Sequence, residues 1–95
     1  MDHNSRGIGD LIKAFLRMHN LEERMDEVDI RKNWEKLAGK LIAHHTQDVR
    51  LNKGKLILKL NSAALRHTLS FSKSELKEKL NASIGQAIIE EIEIR

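Results

Sequence analysis

Residues 49–60 read Val49-Arg50-Leu51-Asn52-Lys53-Gly54-Lys55-Leu56-Ile57-Leu58-Lys59-Leu60, and this stretch decides the fold class. Val49 and Leu51 alternate with Asp48 and Arg50; Leu56, Leu58 and Leu60 alternate with Lys55, Ile57 and Lys59. A period of two sends successive side chains to opposite faces of a strand. The stretch therefore predicts a β-hairpin with one buried leucine face and one basic face. Asn52-Lys53-Gly54 supplies the turn, since Asn and Gly best tolerate positive φ.

Upstream, the period is helical. Ile8, Leu11, Ile12, Phe15 and Leu16 recur at three- and four-residue spacing, which predicts an amphipathic helix over Asp10 to His19 (about 8–19 at its widest), stopped at Asn20. Leu21, Met25 and Val28 follow. Ile30, Trp34, Leu37 and Leu41 then form a stripe spaced 4, 3, 4, with Asp29 as a cap and Trp34 as a core anchor. Gly39 falls inside that stripe, where helix propensity disfavours it, and close packing against a neighbouring element is the expected reason. Glu22 to Asp29 is read as a solvated acidic flank.

Downstream, Asn61-Ser62 caps a helix carrying Leu65 and Leu69. Ser72-Lys73-Ser74-Glu75 matches a capping box for a second helix from Lys73 to Ser83, with a kink near Ser70–Ser72. Gly85 ends it. Ile88 to Ile94 reads as a final strand with Ile92 and Ile94 inward, and Glu90 calls for a bulge. The order helix, helix, strand, strand, helix or two, strand gives an α+β sandwich, a three-stranded sheet whose helices bury every stripe on one face.

Ninety-five residues fit one domain over 1–95, with its core at about 27–94. No cysteine is present, so disulfides and thiolate metal sites are excluded and a cytoplasmic setting is expected. No apolar run approaches a membrane span, so no membrane partner is expected. Three aromatics, Phe15, Trp34 and Phe71, are too few for RNA readout by stacking. The histidines His3, His19, His44, His45 and His67 make no ligand pattern with a carboxylate, Gly7-Ile8-Gly9 lacks the third glycine of a dinucleotide loop, and no Walker A motif occurs. No catalytic set, metal or cofactor is expected; the chain reads as a non-enzyme.

The net charge of +3 conceals a division. Residues 1–29 carry −3, residues 30–79 carry +8 and residues 80–95 carry −2. A middle segment at +8 attracts phosphate backbones, although lysines that only solvate a surface give the same composition. The candidate nucleic-acid contacts are Arg50, Lys53, Lys55, Lys59, Arg66, Lys73 and Lys77. Alternation puts Lys55 and Lys59 on one strand face, and a spacing of four puts Lys73 and Lys77 on one helix side, expected to lie near the hairpin strip. Arg66 suits bidentate binding of a phosphate or a partner carboxylate.

Several segments taken in order resemble one family: Trp34-x4-Gly39, Ile42-Ala43-x-His45-Thr46, Leu51-x-x-Gly54-x-Leu56, Ser62-Ala63-Ala64-Leu65-Arg66-x-x-Leu69, and Leu80-Asn81 with Gly85 and a closing isoleucine strand. They resemble the DciA family of bacterial proteins that operate or load the replicative helicase, most like its short Bacteroidetes-type members, over about Ile8 to Arg95. The resemblance implies a fold similar to a type II KH domain. A KH domain clamps nucleic acid with a Gly-x-x-Gly loop, where this chain has Ser70-Phe71-Ser72-Lys73. Other family members carry a basic tail beyond the domain, and this chain ends one residue past its last strand. The resemblance and the +8 segment together lead to an expected function: a DNA-replication accessory protein that binds DNA (single-stranded or junction) non-specifically and contacts the replicative helicase. A KH-like RNA- or ribosome-associated factor and a protein-interaction adaptor are the alternatives.

Overall fold

The computed structural model describes residues 2–18 and 21–95; the expected helix end at His19 and stop at Asn20 fall outside them. Among the described residues the order is α1 (Asp2–Met18), α2 (Leu21–Lys32), α3 (Trp34–Ala38), α4 (Lys40–His45), β1 (Thr46–Asn52), β2 (Lys55–Leu60), α5 (Ala63–Ser70), α6 (Lys73–Ile84) and β3 (Glu91–Ile94). The fold is α+β, as alternation and periodicity together require.

The hairpin forms as expected. β1 and β2 are antiparallel, with Val49 opposite Leu58 and Leu51 opposite Leu56. Lys53 and Gly54 make the turn with φ of 50° and 80°. Positive φ thus falls on Lys53, while Asn52 stays in the strand. β3 joins β2 in parallel with Leu56 opposite Ile92, so the sheet order is β1-β2-β3.

One sheet face is apolar and buried. Leu56 and Leu58 are fully inaccessible, and Val49, Leu51, Leu60 and Ile92 surround them. Ile30, Trp34, Leu37, Leu69, Leu76 and Leu80 from the helices complete the same core. Ser62 caps α5 by accepting a hydrogen bond from the Leu65 amide at 3.2 Å. Gly85, at φ 86°, closes α6.

Several expectations are corrected. Asp29 lies inside α2, whose last turn runs on to Lys32, so it caps nothing. The Ile30–Leu41 stripe is not one helix. Asn33 interrupts it, and Gly39, at φ 93° and ψ 162°, separates α3 from α4. Nothing lies within 4 Å of where a Gly39 Cβ would stand, so backbone conformation and not close packing requires the glycine. Past that joint Leu41 turns outward and is 66% exposed, while Ile42 and Ala43 meet the core instead.

α1 begins earlier than predicted, and the described members of its apolar row are not buried. Ile8, Leu11, Ile12 and Phe15 are 54–71% exposed, and α1 meets the rest of the fold chiefly through α2. The radius of gyration, 15.4 Å, exceeds the roughly 12 Å of a compact chain of this length. One sheet face therefore does not bury every stripe.

Ser72 stands at the start of α6, but its side chain makes no cap hydrogen bond. Its ψ of 21° departs from the extended geometry that aims a cap oxygen at the first turn. The last strand begins at Glu91, not Ile88. Glu90 is exposed and precedes the strand, and the sheet's irregularity falls in β1 between Thr46 and Asp48, so no bulge forms within β3. Asn81 holds the approach to β3, donating to the Ile89 carbonyl and accepting from the Ile89 amide, both at 2.9 Å.

Candidate nucleic-acid interface

Because the leucines take one sheet face, their alternating neighbours are displayed on the other. Asp48, Arg50, Lys55, Ile57, Lys59, Glu91 and Glu93 stand there across three strands. α2 borders β1: Arg31 Nε donates to the Val49 carbonyl at 2.6 Å, and its guanidinium also pairs with Asp48. Between α2, the hairpin and the approach to β3 opens a groove of about 1430 Å³ of mixed charge, with Arg24, Arg50, Lys53 and Lys59 facing it beside Glu23, Asp26, Asp48 and Glu90.

The cations of this face differ in availability. Lys55 Nζ lies 3.3 Å from Glu91 and 3.3 Å from Glu93. Hydrogen bonds to these two carboxylates raise the Lys55 ammonium above its ordinary value. Glu93 is held below the usual carboxylate range by Arg95 first and by Lys55. Asp48 is held low by its hydrogen bond from Arg50, helped by Arg31; Arg50 Nε reaches it at 2.8 Å. Lys59 and the Lys53 ammonium have no ion-pair partner among the described residues. Lys59 and Lys53 are therefore open to an incoming anion, whereas Lys55 and Arg50 are each held by carboxylates.

The remaining candidates sit elsewhere. Arg66 is half-buried in α5, and its Nη1 donates to the Leu60 carbonyl at 2.7 Å, fastening the helix to the end of β2. Lys73 and Lys77 lie on α6, whose Leu76 and Leu80 enter the core from the apolar side of the sheet. That places them across the sheet from Lys55 and Lys59, so the expected proximity to the hairpin strip does not occur.

Two features escaped sequence reasoning. Glu23, inside the acidic run, is not merely solvated: its carboxylate accepts from the Lys53 amide at 2.7 Å and the Gly54 amide at 2.8 Å. The partners are thirty residues apart, and no local spacing signals the bond. Asp26, on the same helix, is pushed up by partial burial and by Glu22, Asp29 and Glu23 around it.

In the loop from Ser70 to Lys73 the two central amides are already spent. The Phe71 amide donates to the Thr68 carbonyl at 3.3 Å and the Ser72 amide to the Leu69 carbonyl at 3.0 Å, so both are used by the end of α5. His44 and His45 contact each other edge to face, with ring centroids 5.0 Å apart, and His45 Nδ1 meets Asn61 Oδ1 at 2.9 Å. No cluster of metal-ligating side chains occurs among the described residues, and no described helix is long and apolar enough to cross a membrane.

Comparison with protein families matches residues 7–94 to the family described as Dna(CI) antecedent, DciA. Comparison with curated proteins and with solved structures gives no match.

Proposed function

The chain belongs to the DciA family, since that match spans nearly its whole length, and from this premise we propose that it is a non-enzymatic cytoplasmic replication accessory that binds DNA through the outer face of its sheet and contacts the replicative helicase. Membership implies a role in loading the replicative helicase during DNA replication. The observation that carries the DNA-binding part is the hairpin's polar face, where Lys59 and Lys53 stand without carboxylate partners among the described residues, beside Arg50 and Lys55.

Such a surface binds by charge. It has no aromatic platform, so affinity is salt-dependent, weak at physiological ionic strength and indifferent to base sequence. The order of helices and strands supports a KH-like origin, but recognition does not rest on the loop between α5 and α6, whose Phe71 and Ser72 amides are already bonded. Lys73, Lys77 and Arg66 contribute to the long-range field and not to the same strip. Ile8, Leu11 and Ile12 of α1 expose apolar side chains in a row, and the helicase contact is assigned there.

Two measurements test the proposal. Fluorescence anisotropy with a labelled single strand, a forked junction and a structured RNA, each across a salt series, should show a linear loss of log affinity with log salt on both DNAs. Co-purification of the tagged chain from its native cytoplasm should bring down the replicative helicase, and Ile12→Asp should abolish it. Preference for structured RNA would favour the RNA-associated alternative. Absence of all nucleic-acid binding with helicase retained would make the protein an adaptor.

A further inference from the structure

The tip of the hairpin holds an anion already. Lys53 and Gly54 both have positive φ, and their consecutive amides converge on one carboxylate. Glu23 places one carboxylate oxygen on each, at 2.7 and 2.8 Å. Successive backbone N–H groups in a turn make an anion-binding concavity, and a phosphodiester offers a similar pair of oxygens. The contact is made in cis by the first turn of α2, whereas the far end of that helix is anchored by the buried Ile30 and by Arg31 on β1.

We propose that these two amides are a phosphate site of the same interface, closed in the free protein by Glu23 and opened when a nucleic-acid phosphate takes the carboxylate's place. The inference rests on the reading of the outer face as a nucleic-acid surface, and it adds a contact and a gate that composition does not show. The Lys53 ammonium, without an ion-pair partner among the described residues, belongs to the same turn, and Arg24 lines the same groove. Glu90 stands against Gly54 and opposes an incoming anion, so the site is a weak one that works beside Lys59 and not alone.

The exchange has a direct readout. Amide NMR spectra of the full chain are recorded during titration with a single-stranded oligonucleotide and, separately, with inorganic phosphate, for the wild type, Glu23→Ala and Glu22→Ala. Both substitutions remove one negative charge, and Glu22→Ala also releases Arg17, its partner at 3.3 Å; only Glu23→Ala uncovers the amides. Glu23→Ala should tighten oligonucleotide binding about three- to tenfold more than Glu22→Ala does, the worth of a hydrogen bond or so. The Lys53 and Gly54 amides should shift with either ligand, and further in Glu23→Ala than in the wild type. Equal gains in the two variants, or Lys53 and Gly54 amides that stay still while those around Lys59 move, would overturn the site. If the oligonucleotide moves no resonance anywhere but phosphate still shifts Lys53 and Gly54 in Glu23→Ala, the amide site stands and the nucleic-acid reading falls. Should the alanine variant not fold, Glu23→Gln removes the charge and, since its NH2 cannot accept, uncovers one of the two amides; a gain beyond that of Glu22→Gln, with a shift at that amide, is then the expected result.

Discussion

Trp34 Nε1 donates to Thr46 Oγ1 at 2.9 Å, and Thr46 Oγ1 in turn donates to the Ile42 carbonyl at 2.5 Å. This relay joins the start of α3 to the last turn of α4 and the first residue of β1. It fixes the place where the chain passes from its helical half to the sheet. The Trp34 side chain is only 6% exposed, so the indole combines core volume with a satisfied polar edge.

Trp34→Ala should therefore cost on the order of 3–5 kcal/mol through the cavity it leaves, a large share of a small domain's stability. Trp34→Phe should cost less, since it keeps most of the volume and leaves Thr46 bonded to Ile42. Urea denaturation of both variants checks the order. An alanine variant as stable as the wild type would mean that the indole packs against nothing.

The exposed lysines give a prediction with two directions. Lys59→Ala should reduce the salt slope of DNA binding by about 0.7–0.9, the share of one phosphate contact. Glu91→Gln with Glu93→Gln should act oppositely, because it releases Lys55 from two carboxylates and lightens the negative charge of the face. Anisotropy titrations at four or five salt concentrations read both slopes. Unchanged slopes in both would remove the sheet face from the interface.

The carboxylates set the acid limb of stability. Asp48 and Glu93 have folded values below their ordinary 3.8 and 4.5. Their contribution is fully present above those ordinary values and is lost as pH falls through the lower folded ones. Lys55 is raised above 10.5, so its contribution is present below that pH and lost as pH rises through the folded value. Asp26 runs the other way: its folded value is raised above 3.8, so the folded state gains stability as pH falls through that raised value. Asp48→Asn should flatten the acid loss of stability. Asp26→Asn should stabilise the protein at neutral pH, with the advantage shrinking on acidification. Denaturation midpoints followed from neutral pH downward decide both signs.

Gly39→Ala should cost about 1–3 kcal/mol, since φ 93° with ψ 162° is a region nearly reserved for glycine. The cost is conformational, because a Cβ there meets nothing within 4 Å. Gly7 is the control: it lies within α1, has no positive φ, and a Cβ there also meets nothing within 4 Å. Gly7→Ala should be neutral or slightly stabilising, as alanine is the better helix former. Thermal unfolding of the two variants side by side separates backbone strain from the general effect of adding a methyl group. A neutral Gly39→Ala would show that the joint between α3 and α4 relaxes freely.

The hairpin was legible because its signals are local: alternation, a three-residue turn and a leucine on every second position. The α5–α6 boundary and the Gly85 stop were legible for the same reason. The stripe from Ile30 to Leu41 misled because spacing arithmetic counts Gly39 as one more helical residue, whereas at φ 93° it redirects the chain. The apolar row of α1 gave a correct helix and a wrong burial, since periodicity shows which side is apolar and not whether anything covers it. Lys55 and Lys59 were correctly placed on one face, but the parallel register of β3 brings Glu91 and Glu93 beside Lys55 alone. Glu23 meets the turn from a helix thirty residues away. Such non-local pairings decide which cations remain available, and no single segment contains them.

The loop between α5 and α6 permits a last test of the proposed nucleic-acid binding. A glycine pair lets a backbone approach phosphates closely, and here Ser70 and Lys73 occupy the corresponding places. Side-chain bulk is the smaller obstacle. The Phe71 and Ser72 amides are spent on the Thr68 and Leu69 carbonyls, and Ser70 Oγ donates to the His67 carbonyl at 2.6 Å. Removing two Cβ atoms frees none of those amides. Ser70→Gly with Lys73→Gly should thus leave single-strand affinity unchanged or slightly lower, since it deletes one positive charge. It should also cost roughly 1–2 kcal/mol, as two glycines enter the ends of helices. Anisotropy with DNA and RNA single strands, beside thermal unfolding, measures both effects. A large gain in single-strand affinity would mean that the α5 end opens to give up its amides, and would make the loop, not the hairpin face, the principal contact.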